Sequence, residues 1–145
     1  MCIRFLGGDG STATSDAYIE NFHDRHHPLS PKPFLARMAA AFFTLGSGGA
    51  MGYEGPSIYA GAQAGSALQG RLQRFFSREE AKVLLVAGAA AGVAAIFRAP
   101  ATGVVFALEV PYRDDLARRQ LLPASIAAAA GYLTFVALLL SLIHI

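Results

Sequence analysis

Apolar blocks alternate with short polar breaks along this chain, and each block reads as a helix. Residues 7–30 are polar and glycine-bearing, and Pro31 and Pro33 then lead into an apolar segment, 34–51, broken only by Arg37. This reads as a linker followed by a helix. Gly46, Gly48, Gly49 and Gly52 crowd the second half of that segment. Glycine weakens a free helix in water but lets a neighbouring helix approach closely in lipid, so packing is their expected role. Pro56 suits the first turn of the next helix, because its missing N–H would be unpaired there anyway. That helix is expected to run to residue 72, with Gly61 and Gly65 forming a G-x-x-x-G face.

Ser77 and Glu80 have the spacing of a capping box ahead of an uncharged, alanine-rich stretch over 83–97, where Gly88 and Gly92 repeat the G-x-x-x-G spacing. Arg98 ends it. Pro100 can open a further helix through residue 109, and Pro111 with Arg113, Asp114, Asp115, Arg118 and Arg119 returns the chain to water. A final apolar segment starts near Pro123. Only this segment approaches the roughly 20 apolar residues that a spanning helix needs. The shorter blocks must therefore stop inside a membrane. Irregular backbone at that depth is tolerated only where protein or a watery cavity satisfies it, so broken helices in an oily chain point to a substrate path.

Composition supports a membrane setting, since 54% of the 145 residues are hydrophobic and 15% charged, with alanine and glycine prominent among the small residues. The net charge of +2, with arginines scattered along the chain, leaves no nucleic-acid footprint. Cys2, the single cysteine, excludes an internal disulfide and offers no zinc pattern. The first residues lack the apolar core of a secretory signal, and the last apolar run reaches Ile145 without a polar flank. The expectation is an all-α polytopic membrane protein, represented by a fragment: residues 1–33 a polar linker or helix start, residues 34–145 membrane helices.

The main chemical feature is Gly52-Tyr53-Glu54-Gly55-Pro56, an ionisable carboxylate at a helix start between glycines. An acid at membrane depth is expensive and is a functional hypothesis by default. A helix N-terminus offers unpaired N–H groups and a positive dipole end, so the backbone over 54–58 can hold a small anion without a basic side chain. A charged Glu54 competes for those donors and a protonated one leaves them, which makes it a proton-linked gate. The plainer alternative is a first-turn acid that answers only its own helix dipole.

These residues resemble the CLC chloride channel and transporter family through three stretches. Gly52-Tyr53-Glu54-Gly55-Pro56 looks like the family's G-[K/R]-E-G-P signature; the run from Gly88 through Phe97-Arg98-Ala99-Pro100 is similar to its Ala/Gly helix ending in Phe-x-Ala-Pro; and Gly103-Val104-Val105-Phe106-Ala107-Leu108-Glu109 matches the helix that follows. Order and spacing agree as well. The resemblance implies part of an inverted-repeat fold with broken, tilted helices, and a homodimer in which each subunit has its own pathway and the last two helices contribute to the interface. It implies that Glu54 is the external gate, that Gly52, Tyr53, Gly55, Pro56, Ser57 and Ile58 line the anion site, and that amides over 55–58 face the central anion.

Three departures from the family pattern stand out. Tyr53 replaces the usual Lys or Arg, removing a positive charge from the anion path. The family's G-S-G-x-P motif aligns with Gly8-Asp9-Gly10-Ser11-Thr12, which puts the carboxylate of Asp9 where a serine is expected, with Ser11 or Thr12 supplying the hydroxyl after a shift of register. Asp9, Gly10 and Ser11 complete the implied anion-binding set. Glu109 is followed by Val110 where exchangers carry a proton-transfer glutamate, which favours passive conduction over chloride/proton antiport and leaves Glu109 as the candidate for any proton path. The family's later G-x-F-x-P loop and anion-site tyrosine are not found, and the stretch after Leu140 matches no family feature. The covered region is therefore expected to be part of the first inverted half and not to conduct alone.

The remaining features read more plainly. His23, Asp24, His26 and His27 cluster in polar sequence without support for tetrahedral geometry, so no metal is assigned to them. The glycine runs lack the Gly-Lys-Ser/Thr of a Walker motif, which argues against a nucleotide, and no cofactor or enzymatic role is expected. Arg118 and Arg119, with the acids before them, read as a solvated connection biased to the cytoplasm. The expected partners are chloride or similar small anions and the lipid bilayer, in the plasma (inner) membrane of a prokaryote. Two rival readings are a soluble anion- or nucleotide-binding module and a non-conducting membrane assembly subunit whose G-x-x-x-G faces dimerise.

Overall fold

The computed structural model describes residues 14–23, 31–71, 78–112 and 118–143. Among these, the regular elements are helices: α1 (Thr14–His23), α2 (Pro31–Gly46), α3 (Glu54–Arg71), α4 (Arg78–Phe97), α5 (Pro100–Glu109) and α6 (Leu121–Ile143), with a 3-10 turn, Arg118–Gln120, leading into α6. Helix α1 lies inside the stretch expected to be a linker. Thr14, Tyr18 and Phe22 fall one turn apart on one face and are buried, while Asp16 in the first turn and His23 in the last suit the helix dipole. An apolar stripe this narrow is hidden by its polar neighbours.

Helix α2 stops at Gly46, short of the expected residue 51, for a local reason. Gly48 takes a left-handed φ of 78°. Its N–H bonds the carbonyl of Leu45 at 3.1 Å and that of Gly49 bonds Thr44 at 2.8 Å, the paired bonds of a Schellman stop. Nothing packs within 4 Å of where a side chain would start on Gly46 or Gly48. Gly48 ends the helix, and the packing role expected for these two glycines is not what the described residues show.

Helix α3 begins at Glu54, so the acid and Pro56 both stand on its first turn, as expected. Helix α4 ends at Phe97 as expected, and Arg98 takes a left-handed φ of 53° in the reversal that precedes Pro100. Ser77 of the expected capping box lies outside the described residues.

Helix α4 forms the centre, packed by α3, α5 and α6. A Cβ on Gly61 or Gly65 of α3 would collide with the carbonyls of Gly88 or Leu84 in α4, and a Cβ on Gly88 or Gly92 would collide with those of Gly61 or Ser57. The two G-x-x-x-G faces therefore lock backbone against backbone, in antiparallel register. On the other sides of α4, a Cβ on Gly103 of α5 would come within 2.8 Å of the Ala94 nitrogen, and one on Gly131 of α6 within 2.8 Å of the Ala91 carbonyl. Ala89, Ala90, Val93 and Ala94 are buried among these contacts. Small side chains make this close approach geometrically available.

The segment Arg118–Ile143 is the one described helix that is long and apolar enough to cross a membrane; Pro33–Gly46, Lys82–Phe97 and Pro100–Glu109 are apolar but shorter. That distribution matches the expected broken helices. Ser125 and Thr134 in α6 donate to the carbonyls of Leu121 and Ala130 at 2.8 Å, so their hydroxyls are satisfied within the helix.

Candidate anion site

The start of α3 is built from a chain reversal that exposes Gly52, Tyr53 and Glu54 while burying Ser57 and Ile58. Glu54 folds back over the reversal, with Oε2 3.7 Å from the place a Cβ on Gly52 would occupy. That is ordinary van der Waals distance, so a Cβ on Gly52 would fit. The Ser57 amide donates to the Tyr53 carbonyl at 3.0 Å and its hydroxyl to the Glu54 carbonyl at 2.9 Å. Pro56 has no N–H. Of the amides expected to face an anion, those of Ser57 and Ile58 belong to the helix ladder, and the Glu54 and Gly55 amides precede any intrahelical acceptor.

The N-terminus of α1 joins this end. A Cβ on Gly55 would collide with the Thr14 hydroxyl and lie 3.3 Å from Ser15 Oγ, so two hydroxyls stand against the α3 start. These were missed in the sequence because they sit in what reads as a linker. Asp9, Gly10 and Ser11 lie outside the described residues, as do Thr12, Asp24, His26 and His27. His23 is described, and its Nε2 donates to the carbonyl of Pro111.

Arg37, read only as an interruption of an apolar segment, packs on α3. Its guanidinium lies 5.4 Å from the ring centroid of Tyr59, whose side chain is buried, and Phe34 packs on the same ring at 5.7 Å. A cation in an apolar helix signals function or a buried partner, and here an aromatic face supplies the partner. Tyr59 lies within two turns of Glu54. A positive charge favours a nearby anion by an energy that falls off with distance. Tyr53, 58% exposed, adds no such charge.

Glu109 is placed elsewhere. It is exposed at the end of α5, which runs back along α4 away from the α3 start, and its carbonyl accepts the Tyr112 amide at 2.9 Å. The fold brings together Gly52, Tyr53, Glu54, Gly55 and the α1 hydroxyls at one end of the bundle and leaves Glu109 with Val110 at the other.

The family model for voltage gated chloride channels matches residues 1–143. The chain is 38% identical over 104 residues to the chloride channel protein CLC-c of Arabidopsis thaliana, covering 64% of this chain and 13% of that protein. It is 37% identical over 99 residues to the voltage-gated ClC-type chloride channel ClcB of Shigella flexneri, covering 68% of this chain and 23% of that one. The same-named protein of an Escherichia coli strain is 42% identical over 76 residues, covering 52% and 18%. The chain thus spans less than a quarter of the length of these relatives. No solved structure matches it. The glycine-locked helices, the exposed acid at a helix start and the family match over nearly every residue agree: the chain belongs to the voltage-gated chloride channel family of integral membrane proteins.

Proposed function

We propose that this chain carries the gated end of a chloride pathway, within a complete protein that supplies the remainder. The observation that carries this reading is Glu54 itself: exposed on the first turn of α3, its carboxylate lies beside Gly52, next to two amides that have no acceptor within the helix. A chloride ion entering there gains the helix dipole and those donors. The ionised carboxylate is drawn to the same end, so anion and side chain exclude each other, and protonation frees the place. The relatives' names as chloride channels support the choice of anion.

Passive conduction is the form we favour, because Val110 beside Glu109 cannot carry a proton. Arg71, Lys82, Arg118 and Arg119 gather at the end of the bundle opposite Glu54, whereas Arg37 and Arg98 lie toward the α3 start. Lysines and arginines are retained on the cytoplasmic side, which turns Glu54 outward. The complete protein is proposed to be a homodimer, with the exposed flank of α6 divided between lipid and the second subunit.

The test is chloride flux into liposomes carrying the complete protein, across a pH series, with proton movement recorded in parallel. Wild-type flux should rise as pH falls and Glu54→Ala should be fast and indifferent to pH, both without net proton movement. Retained pH dependence in Glu54→Ala would return the acid to a helix-capping role, and stoichiometric proton movement would make the protein an exchanger.

A further inference from the structure

The end of α5 contains a carbonyl that its own helix cannot satisfy. In a continuing helix the Ala107 carbonyl accepts the amide of residue 111, and Pro111 has none. Two nearby carbonyls are provided for: Val110 donates to Phe106 at 3.0 Å and Tyr112 to Glu109 at 2.9 Å. Ala107 is 0% exposed and Leu108 3%, so water does not reach the orphan.

Tyr18 supplies the missing donor. Its phenol, on a side chain that is 0% exposed, donates to the Ala107 carbonyl at 2.8 Å from α1, 89 positions away in sequence. Further along the same helix, His23 Nε2 donates to the carbonyl of Pro111, and the rings of Phe22, His23 and Tyr112 meet edge to face at 5.3–5.9 Å. One short helix thus completes the end of another with side chains.

We propose that Tyr18 is a positioning residue of the anion pathway: its hydroxyl replaces the helix bond that Pro111 removes and holds the end of α5, with Glu109, in register with α1. The opposite end of α1 bears on the pathway as well, because Thr14 stands against Gly55, next to Glu54. Helix α1 therefore braces the start of α3 and the end of α5, which lie at opposite ends of the bundle. The consequence for flux rests on the function proposed above, whereas the bracing itself does not.

The experiment is a double-mutant cycle in the complete protein, in which Tyr18→Phe is made with Pro111 retained and with Pro111→Ala, which returns an amide to the Ala107 carbonyl. Its readouts are the modification rate of a cysteine introduced by Leu108→Cys, a position 3% exposed beside Ala107, with other cysteines replaced, and the maximal flux against the half-saturating chloride concentration. With Pro111 retained, Tyr18→Phe should speed modification by about tenfold, as expected for a buried carbonyl left unpaired. Maximal flux should fall at unchanged half-saturation, and Pro111→Ala should restore both. Equal effects in the two backgrounds would overturn the proposal, since Tyr18 would then act by packing alone.

Should Tyr18→Phe fail to fold, folding of the double variant supports the proposal. Failure of that variant while Pro111→Ala folds overturns it, and so does failure of Pro111→Ala by itself. A wild type without chloride flux sinks the proposed function, and the modification rates still decide the role of Tyr18.

Discussion

The crossing of α3 with α4 and the length of α6 are both membrane-type helix, yet they are built on opposite rules. At the crossing the side chains are nearly absent, and carbonyls of one helix lie where glycines of the other leave room. Helix α6 carries large apolar side chains instead, and Leu122, Ile126, Leu133, Leu138 and Leu142 are all more than 59% exposed. Hydrophobicity marks the part that can span a membrane; smallness marks the part that packs. Lipid rewards bulky apolar groups as well as a protein interior does, so only close backbone approach distinguishes a protein neighbour.

Replacing Gly61 or Gly88 by Val would test the crossing most severely. The obstructing atoms are backbone carbonyls that cannot rotate away, and we expect a loss of about 3 kcal/mol or more in the thermal unfolding of the detergent-solubilised complete protein. A milder break is Gly131→Ala, whose Cβ would sit 2.8 Å from the Ala91 carbonyl and 3.0 Å from the Ala91 Cβ. Helix α6 can shift outward to relieve it, and about 1–2 kcal/mol is expected in the same measurement.

The comparison is sharpened by a glycine with room. Gly70, in α3 with nothing within 4 Å of its would-be Cβ, should become more stable on Gly70→Ala by about 0.5 kcal/mol, opposite in sign to the substitutions above. A loss there would mean that an unseen neighbour uses the gap. The smallest effect is expected on the exposed side of α6, where Leu138→Ala, at a side chain 60% exposed, should change unfolding by less than about 0.5 kcal/mol. A large loss would reveal a protein partner on that flank.

Much of the helix layout was legible because proline and glycine punctuate it. Pro100 and Pro111 bracket α5 within two residues of its observed ends, and Phe97-Arg98 closes α4 where expected. The place of Glu54 on the first turn of α3 was legible too, because glycines and Pro56 after a long apolar run mark a helix start. Helix α1 was not legible, because Tyr18 and Phe22 are thinly spaced among polar residues and their burial comes from partners far away in sequence. Thr14 and Ser15 went unseen with it. The glycines at 46 and 48 were misread because the residue type serves both close packing and a left-handed helix stop, and the local pattern does not separate the two uses.

Sequence alone determined which stretches are helical and apolar, where the acid sits, and that two G-x-x-x-G faces exist. Those properties are set by neighbours within one or two turns. Tertiary structure alone decided that the two faces pair with each other, that α1 meets Gly55 at one end and Ala107 at the other, and that Glu54 and Glu109 lie at opposite ends of the bundle. The reason is physical: a carbonyl orphaned by proline and a space left by glycine are local facts, whereas the group that fills either one arrives from wherever the chain has folded back.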